Sequence, residues 1–227
     1  MPKLPPVDPS SIGVVPGIDL SPELLAGLLA DGDDELAAWT LEQALHQASR
    51  TVVYDGLLRD AMRLVGERWA TGQWTVAEEH LASRTLLRAL ERIRPELGPL
   101  SRVGPLVALA GVAGEHHMIG LVCLEHVLTE AGWTTANLGA DLPAADLARY
   151  VTRNEVALVA LSATEAARLG ALAETVTALR AAAPVPPQIM VGGMLAEHPG
   201  IRPAVEVDWV GTSLAEASAF ARTVSSA

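Results

Sequence analysis

Up to about residue 94 the apolar positions recur at helical spacing, whereas beyond residue 104 they gather into short solid runs. Four helices are expected in the first stretch. Ser21-Pro22-Glu23 opens the first, with serine as N-cap and proline at the first helical position. It runs through Leu25, Leu28 and Leu29 and stops near Gly32. The second starts at Asp33 or Asp34 and carries Leu36, Trp39, Leu41, Leu45 and Ala48. The third covers about 53–70, with Leu57, Leu58, Met62, Val65 and Trp69 on neighbouring faces. After a turn at Thr71-Gly72-Gln73-Trp74, Thr75 and Glu78 form a capping box that starts the fourth, which continues to about Arg94. Four helices with short links predict an α bundle.

The period then changes. Strand candidates fall at about 105–111, 134–138, 156–161, 188–192 and 207–211. Helical segments lie between them at about 119–131, 143–153, 165–182 and 194–198, with a last one at 213–225. Alternation at this spacing predicts a doubly wound, five-stranded parallel sheet of Rossmann type. The flavodoxin-like order 2-1-3-4-5 fits, with its crevice between strands 1 and 3. The predicted organisation is α/β: a Pro-rich arm at 1–18, a four-helix bundle at 19–96 and the sheet domain at 102–227. Pro95 to Leu100 reads as the linker.

Composition narrows the function classes. Half of the 227 residues are apolar, so the chain is globular and not disordered. A net charge of −11 repels a phosphate backbone and disfavours direct nucleic-acid binding. Arg84, Arg88, Arg92 and Arg94 alternate with Glu91 and Glu96 and read as a solvated helix face. The single Cys123 lies in an apolar helix and reads as a small buried hydrophobe. No apolar stretch has membrane-spanning length and the N-terminus has no secretory pattern, so a cytoplasmic protein is expected.

The first strand leads into Glu115-His116-His117-Met118-Ile119-Gly120, an E-x-H-x-x-G motif in a strand-to-helix loop. An open α/β sheet holds its ligands there. A metal-bound imidazole must be neutral, and its far nitrogen is usually held by a carboxylate or carbonyl. His117 is therefore the candidate metal ligand and Glu115 its nearby partner. His116 and His126 are rivals; His126 falls on the following helix. Other strands end in small or hydroxyl residues: Ser162 and Thr164, Gly192 and Gly193, Gly211 and Thr212. Singly these read as caps and turns. Together they would line a slot where a polar ligand could lie against the backbone.

On these residues, about 102–225 resembles the cobalamin-binding domain of methionine synthase, corrinoid methyl carriers and mutases. The resemblance rests on Glu115-x-His117-x-x-Gly120, Leu138-Gly139-Ala140-Asp141-Leu142-Pro143, Ser162-x-Thr164 and Gly192-Gly193. It implies that His117 binds cobalt from below, displacing the dimethylbenzimidazole tail, which the slot then buries. Glu115 replaces a frequent Asp of that family, and Thr164 a frequent Leu.

The bundle adds a second resemblance. Trp69 is followed by nine residues and then Glu79-His80, as in the light-sensing, CarH-like transcriptional regulators. This implies adenosylcobalamin with Trp69 and Glu79 around its upper group, and His80 as an upper ligand after photolysis. Methylcobalamin and hydroxocobalamin stay open as alternative cofactors. Those regulators carry a winged-helix domain, whereas here only about 20 Pro-rich residues precede the bundle. The expected function is thus a non-enzymatic light sensor acting through a protein partner or its own oligomer, with Leu25, Leu28 and Leu29 offered as a dimer face. The alternative is a corrinoid carrier of a methyltransferase system or a mutase subunit. A storage protein is a weaker third.

Overall fold

The computed structural model describes residues 20–95 and 104–225. The Pro-rich arm and most of the linker lie outside the described residues. The chain forms two compact units that divide between Arg94 and Pro95.

In the first unit, α1 (Pro22–Ala30) starts where the Ser21 side chain accepts from the Leu24 amide, and ends before Gly32, whose φ is +78°. Helix α2 (Asp34–Leu45) is capped by Asp33. Ser49 caps α3 (Arg50–Val53), three residues earlier than the periodicity suggests. The helix then widens into a π turn at Tyr54–Leu58 and continues as α4 (Arg59–Ala70). Helix α5 (Val76–Arg92) opens on the expected capping box: the Glu78 amide donates to Thr75 and the Thr75 amide to Glu78. Leu25, Leu29, Leu41, Leu86 and Leu90 meet in the bundle core, fully buried. This overturns the dimer face: Leu25 and Leu29 are core residues because α1 packs against α2, α4 and α5. The arginine face is also more than solvated. Arg88 and Arg92 reach Asp34 at 3.1 and 2.7 Å and tie α5 to the start of α2.

The second unit contains β1 (Leu106–Gly111), α6 (Ile119–Glu130), β2 (Thr134–Asn137), α7 (Ala144–Asn154) and β3 (Leu158–Ser162). A 3-10 turn (Ala166–Arg168) precedes α8 (Leu169–Ala181) and β4 (Gln188–Gly192). A second 3-10 turn (Met194–Glu197) precedes α9 (Ile201–Ala204), β5 (Trp209–Val210) and α10 (Leu214–Ser225). The sheet is wholly parallel, in the expected order β2-β1-β3-β4-β5. Alternate residues of β1 enter opposite cores. Ala108 and Ala110 join one with Leu147 and Leu172, while Val107 and Leu109 join the other with Leu128 and Trp133.

Two elements of this unit also differ from expectation. The 207–211 strand shrinks to Trp209–Val210, because the Asp208 carboxylate itself accepts the Ile189 amide at 2.7 Å and binds Arg180 at 2.9 Å. The 165–182 helix becomes α-helical only at Leu169, after the 3-10 turn.

Candidate functional site

Three strands finish in register. Gly111 pairs with Ser162, and Ser162 with Gly192, so their carboxyl ends share one rim beside the β1–β3 switch point. The loop leaving β1 is laced to the loop leaving β2. The Gly111 amide donates to the Gly139 carbonyl and the Leu142 amide to the Gly111 carbonyl, at 2.8 and 3.0 Å. The Asp141 side chain accepts the Gly114 amide at 2.6 Å, and the Asp141 amide donates to the Glu115 carbonyl at 2.8 Å. Asp141 makes these two bonds from a left-handed backbone, φ +54°, which a side chain normally avoids. Its role was missed in the sequence. The Leu138–Pro143 motif was its only signal.

Held this way, Glu115 points inward and is only 2% exposed. One carboxylate oxygen accepts the His117 amide at 2.8 Å and faces His117 Nδ1 at 2.5 Å. The other accepts the Thr164 amide at 2.6 Å and the Thr164 hydroxyl in a short hydrogen bond. The Thr164 oxygen lies 2.8 Å from Nδ1. Burial pushes the Glu115 carboxyl up, but the Thr164 and His117 bonds outweigh it and hold it below the usual carboxylate range. The proton inventory closes if Nδ1 carries the ring proton between Glu115 and the Thr164 oxygen, while the Thr164 hydroxyl donates to Glu115. Nε2 then keeps its lone pair, on a side chain that is 65% exposed.

The other rim residues divide by their reasons. Gly193 is required by the fold itself: its φ is +88°, and a Cβ there would sit 2.3 Å from the Ala163 carbonyl oxygen. At Gly211 a Cβ would strike the Trp209 ring at 2.6 Å. At Gly192 it would make ordinary contact with the Gly211 carbonyl at 3.6 Å. Gly120, in the first turn of α6, has nothing within 4 Å of such a Cβ, so open space adjoins the motif. Ser162 is buried at the end of β3, and Thr212 lies in the turn before α10. Of the rival imidazoles, His116 is exposed beside His117, while His126 is buried in α6 at 1% exposure, as a core residue.

In the bundle, Trp69 stands in the last turn of α4 and Glu79 and His80 in the first turns of α5. The Trp74 amide bonds the Arg68 carbonyl at 2.9 Å and the Arg68 guanidinium lies 4.8 Å over the Trp74 ring, closing this hairpin. Trp69 is 51% exposed, an unusual state for so large an apolar ring. His80 Nε2 lies 3.6 Å from Glu79, whose other oxygen accepts the Ser83 hydroxyl at 2.8 Å. Among the described residues, no hydrogen bond or ring contact joins Trp69 to that pair. They share one end of the hairpin with exposed Val76 and Leu81.

One exposed imidazole on a braced Nδ1 is a single-point ligand. It suits a metal whose other positions are filled by a macrocycle better than a bare ion, which needs three or four protein donors. The open space at Gly120 and the backbone-lined rim suit the same kind of guest. These residues therefore fit a corrinoid.

The comparisons agree with this chemistry. Two family models, each described as a B12 binding domain, match residues 23–94 and 105–218. The HTH-type transcriptional repressor CarH of Myxococcus xanthus is 32% identical over 161 residues, covering 69% of this chain and 52% of that protein. The chain thus spans about half the length of this curated relative. Among solved structures, the Methanosarcina barkeri monomethylamine corrinoid protein superposes with a TM-score of 0.72 at 18% identity, covering 88% of this chain and 96% of that one. A cobalamin-binding protein from Desulfitobacterium hafniense DCB-2 gives 0.50 at 21% identity, covering 90% and 98%. At these identities the likeness speaks for the fold.

Proposed function

Since the chain belongs to the B12-binding domain family, we propose that it is a cobalamin-binding light sensor that signals without catalysing a reaction. The observation that carries cobalamin binding is His117, braced at Nδ1 by Glu115 and Thr164 with Nε2 left outward. In this reading His117 holds cobalt from below and the nucleotide tail occupies the slot at the β1–β3 rim. Glu115 fixes the ring tautomer and, as a carboxylate, strengthens the imidazole as a donor. Ser162, Gly192, Gly193, Gly211 and Thr212 line the tail's path, and Gly120 leaves room for the macrocycle.

The sensor assignment comes from the bundle. Trp69-x9-Glu79-His80 and the 32% identity to a transcriptional repressor both favour it. Adenosylcobalamin, when bound, supplies a cobalt–carbon bond that visible light breaks. Trp69 and Glu79 are assigned to the adenosyl group, and His80 to the position that group vacates. His80 then needs to leave Glu79, and the resulting change in helix packing is the signal passed to a protein partner or a second copy.

The test is the absorbance of adenosylcobalamin-loaded protein, dark and under green light. Wild type is expected to give a base-off, histidine-ligated spectrum in the dark and a two-histidine spectrum after light. His117→Ala should lose the first feature, and His80→Ala only the second. A loaded protein whose lit spectrum matches photolysed free cofactor overturns the sensor reading. A second reading, a corrinoid carrier for methyl transfer, is favoured by the fold shared with the monomethylamine corrinoid protein. It predicts stable methylcobalamin binding and methyl transfer to a thiol when a methyltransferase is added.

A further inference from the structure

Arg168 ends the 3-10 turn after β3, and its guanidinium crosses to the loop after β1. A Cβ on Gly114 would lie 2.3 Å from Arg168 Nη1, so the guanidinium rests directly on the glycine backbone. It therefore bridges the two loops that leave β1 and β3, at the switch point of the sheet. Its hydrogen-bond partner among the described residues is Glu165, at 3.3 Å from Nη2. A guanidinium carries five N–H donors, so most of these are unspent on a side chain only 32% exposed.

Other arginines of this unit are committed away from that crevice. Arg149 pairs with Asp146 on α7. Arg180 binds Asp208 and the Pro187 and Glu206 carbonyls at the amino end of β4. Arg202 reaches the Val210 carbonyl beside β5. In a chain of net charge −11, a cation laid across the ligand crevice stands against the general balance.

The cofactor assigned above carries an anion of its own, the phosphodiester that links the corrin's aminopropanol arm to the nucleotide. With the base swung away from cobalt, that arm would enter the crevice between β1 and β3 and its charge would leave bulk water. Such a transfer is costly unless the anion is paired and hydrogen-bonded. We propose that Arg168 seats this phosphodiester through the donors that Glu165 leaves free, an inference that rests on the cobalamin reading. The planar fork of arginine matches two phosphate oxygens at once. Gly114 is then glycine for two reasons: its φ of +79°, and the guanidinium Nη1 that occupies the place where a side chain would stand.

The experiment compares three corrinoids on wild type, Arg168→Ala and Arg168→Lys. Hydroxocobalamin has phosphate and nucleoside, cobinamide phosphate has phosphate alone, and cobinamide has neither. Arg168→Ala should weaken the two phosphate-bearing corrinoids about tenfold to a hundredfold, the range for a charge-assisted bond. Cobinamide should change by less than about twofold, which makes the comparison a coupling cycle between arginine and phosphate. Arg168→Lys should recover part of the loss. Wild type alone should prefer cobinamide phosphate to cobinamide, with a preference that falls as salt is raised. That arm holds even if the alanine variant fails to fold. An equal loss for all three corrinoids, or no loss and no wild-type preference, overturns the arginine assignment and leaves corrinoid binding standing. A wild type that takes up none of the three overturns the cobalamin reading and this inference with it.

Discussion

At the scale of single residues, the site turns on one ring nitrogen and what holds it. Removing the Glu115 brace leaves His117 free to choose its tautomer and to rotate. Loss of such a supporting carboxylate typically costs about tenfold to a hundredfold in metal affinity. Titration of Glu115→Ala with hydroxocobalamin should show a loss in that range, while Glu115→Asp, the residue more frequent in the family it resembles, should recover much of it. The same carboxylate makes stability depend on pH. Its folded pKa lies below its unfolded value, so its contribution is complete above the ordinary carboxylate range and disappears as pH falls through the lowered folded value. Asp34, lowered by Arg92 and Arg88, and Glu78, lowered by Thr75, titrate in the same sense. The Glu115 part is isolated by difference. In the cofactor-free protein, Glu115→Gln should cost about 1–3 kcal/mol at pH 7, because its amide puts a donor against donors. That gap should close only as pH falls below the ordinary carboxylate range and through the lowered folded value, where wild type also carries a neutral group. A gap independent of pH in urea titrations would contradict this.

At the scale of elements, patterns set by nearest neighbours were legible and those set by distant partners were not. The Ser21 and Thr75 caps, and the strand–helix alternation, all follow from residues within four positions of each other. What escaped was tertiary. The contraction of β5 depends on a carboxylate bonding a residue 19 positions away in β4. The burial of Leu25 and Leu29 depends on which helices surround α1. In the site, Glu115 as partner of His117 was readable from spacing, but the Thr164 link spans 49 positions and Asp141's grip on Gly114 spans 27. Two thermal-melt predictions belong here. Thr75→Ala should cost about 1 kcal/mol by removing a cap. Gly193→Ala should cost more, at least about 2 kcal/mol, since it adds a left-handed side chain and a contact with Ala163 that backbone cannot relieve.

At the scale of the whole molecule, two units with separate cores imply two cooperative transitions. Saturating corrinoid should raise the transition of the sheet unit by mass action, by about 2.7 kcal/mol at a hundred times Kd. A fragment of residues 95–227 should keep the His117-dependent spectrum and lose any His80-dependent photoproduct. Among the described residues no helix is long and apolar enough to cross a membrane.

The wide turn at Tyr54–Leu58 has a consequence for chain length. A π turn arises from one residue more than an α-helix needs, and each helical residue swings the chain by about 100°. Deleting Gly56, whose hypothetical Cβ meets nothing within 4 Å, would let the segment revert to uniform winding. Ala61 and Val65 would then either keep their places by restoring the bulge elsewhere or rotate out of the core, carrying Trp69 with them. Gly56→Ala, which keeps the residue count, should be nearly silent. The reading frame of that helix, more than the identity of the glycine in it, decides which way the tryptophan faces.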